Sequence, residues 1–153
     1  MPDGALPLLI AILVLIVFSA LFSATETAYT SLNVIKVKSL SQKSNKYKKV
    51  LNLYEKYDKL LSTILVGNNI VNITSTSLAL LFFQSVITKG IDPSIISTIV
   101  MTVIVLIFGE ISPKYIAKSS PEKSSLFLYP FIILCYYVLY PLNAVFGGIK
   151  WII

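Results

Sequence analysis

The chain has 153 residues, 56% of them hydrophobic and 13% charged, with a net charge of +6 and a mean hydropathy of +0.80. Soluble domains carry about 25% charged residues, so an ordinary soluble fold is excluded and an integral membrane protein with three or four membrane segments is indicated. The single cysteine, Cys135, rules out a disulfide framework, and the lack of histidine rules out softer metal sites built from several Cys or His ligands. A bound metal would be held by oxygen, which favours magnesium, calcium or sodium.

The first apolar segment covers residues 6–28. Its leading flank carries Asp3 and no lysine, unlike the positive start of a cleaved secretory signal. Its length suits a hydrocarbon core of about 30 Å. All 13 basic residues are lysines, and eight of them lie between residues 31 and 60. The positive-inside rule places that stretch in the cytoplasm and the amino terminus outside. Anionic lipid is the alternative partner of this cluster. Nucleic acid is not expected between two membrane segments.

Residues 31–59 read as amphipathic juxtamembrane helices. Tyr47, Val50, Leu51, Tyr54, Tyr57 and Leu61 recur at helical spacing among the lysines. Ser41, Ser44 and Asn45 suit a break between two pieces. A second spanning helix is expected over residues 60–87, then a turn at Thr88-Lys89-Gly90-Ile91-Asp92-Pro93. A third is expected over residues 95–117, with Pro113 loosening its last turns. Residues 125–150 form a fourth apolar, tyrosine-rich segment interrupted by Pro130 and Pro141 and closed by Gly147-Gly148. A fourth crossing and a bent interfacial or re-entrant helix both fit that pattern. The chain stops just after Lys150-Trp151 with no polar tail, and a continuation is expected.

The three spans carry polar groups at similar depth. Ser19 and Ser23 lie about 20–25 Å from the outer end of the first span, counting 1.5 Å per residue. Glu110 lies at a comparable depth in the third, and Asn68 and Asn72 sit in the inner half of the second. Ser19 and Ser23 share a helical stripe, with Glu26 below them, and Asn68 and Asn72 share another. Asn69 is rotated away from that face. Glu26 reads either as part of the site or as a solvated helix end. Intramembrane Ser and Asn also serve helix packing, whereas an intramembrane carboxylate normally meets an ion, a partner or a cavity. In a regular helix the amide of residue 113 would donate to Gly109, but Pro113 has none. The Gly109 carbonyl is then free to line a cavity or bind an ion. Ser hydroxyls, an Asn amide oxygen, the Gly109 carbonyl and the Glu110 carboxylate form a hard-oxygen set of modest charge. That set suits a transport site for magnesium or sodium, without choosing between them.

Ser19-Ala20-Leu21-Phe22-Ser23-Ala24-Thr25-Glu26-Thr27-Ala28, Gly67-Asn68-Asn69-Ile70-Val71-Asn72 and Gly109-Glu110-Ile111-Ser112-Pro113-Lys114 resemble the transmembrane domain of the CorC/CNNM (cyclin M) magnesium transporters. The resemblance covers nearly the whole chain. It implies an all-α homodimer with three spanning helices and juxtamembrane helices per subunit, resident in the plasma membrane with contacts to membrane lipid. It implies magnesium export coupled to sodium entry, so a carrier and not an enzyme. By motif, the magnesium ligands fall on Ser19, Ser23, Asn72, Gly109 and Glu110, with Asn68 beside them. Relatives usually continue into cytoplasmic CBS domains that bind ATP, which are not part of these residues; their place implies a cytoplasmic carboxyl terminus, and with it a bent, Pro-interrupted fourth helix at the cytoplasmic interface rather than a fourth crossing. A sodium site is not located, and Glu26, Thr25 and Asn68 are its candidates. A magnesium sensor that transports nothing itself is the alternative function.

Overall fold

The structure is a computed structural model that describes residues 4–88, 90–142 and 144. Helix α1 spans Ala5–Thr30, α2 Val34–Lys43, α3 Asn45–Tyr54, α4 Tyr57–Val86 and α5 Pro93–Ile104. A π-helical segment, Val105–Ile111, joins α5 to α6, Ser112–Ser119, and α7 spans Pro121–Val138. The protein is an all-α membrane protein. Among the described residues, three rods are long and apolar enough to cross a bilayer: α1, α4 and the continuous run Pro93–Ser119.

Local chemistry sets the element ends. The Asn33 side chain accepts the Lys36 amide at 3.1 Å and caps α2. Ser44 is extended (φ −148°, ψ 122°) and separates α2 from α3, at the break expected from Ser41, Ser44 and Asn45. Gly90 takes φ +105° in the turn before α5, a conformation that suits glycine. Asp92 then accepts the Ser94 amide at 2.8 Å, and Pro93 fills the first helical position.

Two apolar clusters organise the bundle. One lies toward the lysine-rich end and joins Phe22, Tyr29, Val37, Val50, Ile64 and Leu128 from five helices. The other joins Ile12 and Ile16 of α1, Ala79 of α4 and Met101 of α5. Between them runs a layer of polar and small residues, described below. Opposite Gly67 a Cβ would overlap the Phe22 ring, so glycine there lets α1 and α4 approach closely.

Helix α7 leans back against α1. The Phe131 ring lies 5.0 Å from Phe22 and 5.9 Å from Phe18. Because Phe18 stands midway along α1, α7 enters the bundle to that depth, with Pro130 inside the helix. The later part of the fourth apolar segment, including Phe146 and Gly147-Gly148, lies outside the described residues.

Candidate metal centre

The polar layer is built where α1, α4 and the π segment meet. Ser19 and Ser23 project from α1 and are buried, at 1% and 0% exposure. Ser19 Oγ donates to Asn68 Oδ1 at 3.2 Å. Asn72 Nδ2 reaches the same oxygen at 3.5 Å. Asn68 is therefore the hub that ties α1 to the next turn of α4. Asn69, rotated away, is exposed.

Gly109 packs directly against this hub. A Cβ on Gly109 would sit 2.9 Å from Ser19 Oγ and 3.4 Å from Ser19 Cβ. Only a residue without a side chain lets the π-segment backbone come this close to the hydroxyl. Glu110 follows immediately. It is half-buried and makes no ion pair or hydrogen bond with the described residues.

Two oxygens in the layer stand out. Ser23 Oγ and Asn72 Oδ1 are buried and have no hydrogen-bond partner among the described residues. Most buried side-chain polar atoms are paired, and a lone one costs about 1–3 kcal/mol. Their neighbours show that pairing is available locally. Thr25 Oγ1 donates to the Leu21 carbonyl at 2.6 Å, and Ser75 Oγ to the Asn72 carbonyl at 3.0 Å. Unpartnered oxygens on two neighbouring helices have the chemistry that suits a hard cation.

The backbone adds to the set. Pro113 does more than loosen the helix. The Ser112 amide donates five residues back to the Ile107 carbonyl, so the Phe108 carbonyl loses its α-helical donor. Pro113, lacking an amide, can serve neither Phe108 in the π register nor Gly109 in the α register. An α register throughout would point to the Gly109 carbonyl alone; the π register adds that of Phe108. No group of three or more His, Cys, Asp or Glu occurs among the described residues, so any cation here would rely mainly on neutral oxygens.

The groups weighed for sodium separate. Asn68 reaches the layer, and Thr25 is engaged with its own helix. Glu26 pairs with Lys114 at 3.2 Å, tying the end of α1 to α6. This gives Glu26 a structural partner that sequence spacing alone could not supply, since Lys114 lies on a different span.

A family model, the cyclin M transmembrane N-terminal domain, matches residues 9–153. The chain belongs to the cyclin M (CNNM) transmembrane-domain family. It is 38% identical over 136 residues to a UPF0053 protein of Haemophilus influenzae, covering 88% of this chain and 32% of that protein. It is 37% identical over 132 residues to the UPF0053 inner membrane protein YfjD of Escherichia coli, covering 83% and 30%. A DUF21 domain-containing chloroplastic protein of Arabidopsis thaliana is 31% identical, over 86% of this chain and 20% of that protein. The chain thus spans about a third or less of the length of these relatives. With its three spans, it is a multi-pass membrane protein of the CNNM/UPF0053 family, consistent with a role related to magnesium transport.

Proposed function

We propose that this chain is the membrane domain of a magnesium transporter that exports Mg²⁺ in exchange for sodium entry. The single observation that carries the reading is that Ser23 Oγ and Asn72 Oδ1, each one helical turn from the Ser19–Asn68 contact that Gly109 packs against, are buried without a hydrogen-bond partner among the described residues. Ser19, Ser23, Asn68, Asn72, the Gly109 carbonyl and Glu110 are the proposed ligands. Magnesium takes oxygen ligands and often keeps waters, which fits one carboxylate among neutral groups. A site of low charge also releases its cargo.

The layer lies between two apolar clusters, so the ion is held away from both surfaces. Alternating access then requires α1, α4 and the π segment to shift against one another. The lysine-rich end is assigned to the cytoplasm, and the working unit is assigned as a homodimer by family resemblance.

The test is magnesium efflux from proteoliposomes, with and without an opposing sodium gradient, comparing the wild type with Glu110→Gln. Sodium-dependent efflux lost in the variant supports the exchanger. Magnesium binding without flux in well-folded wild type would instead favour a sensor. Unchanged magnesium affinity in Glu110→Gln would remove Glu110 from the ligand set.

A further inference from the structure

The bundle has a second recess away from the polar layer. A cavity of about 370 Å³ lies between α1, α6 and α7. Its walls are almost wholly apolar: Ala20 and Ala24, four residues apart on α1, together with Ala117 and the ring of Phe127. The alanines leave the space, and Phe127, exposed at 78%, forms an outer wall. The volume falls within the range of about 300–1,000 Å³ typical of ligand sites. In a bilayer such a recess fills with hydrocarbon, because an empty one forfeits its dispersion contacts.

Two lining residues are chemically different: Lys123 and Ser124, from the first turn of α7. The acidic side chains nearby are already used: Glu122 pairs with Lys36 at 3.2 Å and Glu26 with Lys114 at 3.2 Å. Lys123 has no acidic partner among the described residues. Its aliphatic stem can follow the apolar wall while the ammonium stays at the interface. The same end of the molecule carries the eight lysines of residues 31–60, which draws it to an anionic leaflet.

We propose that this recess is a binding site for one anionic phospholipid, its acyl chain between α1 and α6 and its phosphate on Lys123 and Ser124. A zwitterionic lipid offers the same hydrocarbon but no net charge to match the lone lysine. The recess is linked to the polar layer along the chain: its wall residue Ala20 follows Ser19, and Pro113, which ends the π segment's donor gap, lines it as well. A seated acyl chain therefore sets the spacing between α1 and α6. The binding itself does not depend on the transport reading, and its test does not measure transport.

The experiment is thermal unfolding of the full chain in dodecyl maltoside with added palmitoyl-oleoyl phosphatidylglycerol or phosphatidylcholine. A ligand of the folded state raises Tm. Phosphatidylglycerol should raise it by about 2–4 °C more than phosphatidylcholine. Lys123→Gln, a surface change, should abolish the difference, and Lys123→Glu should reverse it. Ala24→Phe, which fills the recess, should abolish the response to both lipids. Native mass spectrometry should show one retained phosphatidylglycerol per chain in wild type and none in Ala24→Phe. Equal responses to the two lipids in wild type would overturn the head-group assignment. A difference that survives Lys123→Gln would place the lipid on the lysines of residues 31–60 and overturn the site. If Ala24→Phe instead converts a dimer to monomers, the recess belongs to a second copy and the proposal fails.

Discussion

Ser23→Ala separates a ligand from a packing residue, because the two roles predict opposite signs. Ser23 Oγ is fully buried and unpartnered. Deleting it relieves a cost of about 1–3 kcal/mol. It also removes one buried atom, whose contacts at about 0.1–0.2 kcal/mol each sum to roughly 1 kcal/mol or less. Relief wins, and the variant should gain about 1 kcal/mol, or about 2–4 °C in Tm for a chain of this size. Ser75→Ala is the control. Ser75 is equally buried, but its hydroxyl donates at 3.0 Å to the Asn72 carbonyl, so its loss should cost about 0.5–1.5 kcal/mol and lower Tm. Magnesium binding should respond the other way. A contact from a polar group to a charge contributes about 1.5–3 kcal/mol, so Ser23→Ala should weaken affinity roughly 10–100-fold at 1.4 kcal/mol per decade. Scanning fluorimetry and isothermal titration in detergent measure both quantities. A lower Tm with unchanged magnesium affinity would show that Ser23 is a packing residue and refute the reasoning.

Gly109→Ala should leave Tm nearly unchanged. The helix gains about 1 kcal/mol, offset by displacing Ser19 Oγ, which a Cβ would meet at 2.9 Å. Magnesium affinity should nonetheless fall, because the displaced Ser19 hydroxyl is a proposed ligand; an unchanged affinity would dissociate the two residues. Asn68→Leu removes the acceptor shared by Ser19 and Asn72, so unfolding should ease by about 1–3 kcal/mol; an unaltered Tm would deny Asn68 its hub role. Lys114→Glu should lower Tm slightly, since exposed ion pairs contribute about 0–1 kcal/mol, and adding Glu26→Lys should recover the loss if the 3.2 Å pair forms in solution. The Ser94 hydroxyl, then its amide, hold the Asp92 carboxyl below the usual carboxylate range. Its folded value lies below its unfolded one. The stabilisation is therefore complete above the unfolded value and fades as pH falls through the folded one. Below about pH 4 the wild type should lose Tm faster than Asp92→Asn, and parallel acid limbs would exclude the effect.

The layout of the candidate site was partly legible from spacing. Ser19 with Ser23, and Asn68 with Asn72, are each four apart, and helical geometry alone puts each pair on one face. Depth counting then brought the three spans to one level, as the contacts of Ser19 with Asn68 and Gly109 show. Other features depend on which helix faces which. Asn68 is the shared acceptor only because α1 and α4 meet at that turn, and Gly67 permits that approach by leaving room for the Phe22 ring. The Glu26–Lys114 pair joins residues far apart in the chain, where no local rule reaches.

The amino-acid sequence by itself determined that the protein is helical and membrane-embedded, where its polar groups stand along each span, and that Pro113 denies a donor to the backbone before it. Hydropathy, period and covalent structure are local properties, and they need no partner segment. Tertiary structure decided the π register of Val105–Ile111 and the lean of α7 onto Phe18 and Phe22. It also decided which oxygens go unpaired: Ser23 and Ser75 are the same residue type at equal burial, yet only one finds a partner. Every helical serine has a carbonyl three or four residues back on its own helix; whether its hydroxyl turns to it depends on the rotamer that packing between helices leaves open.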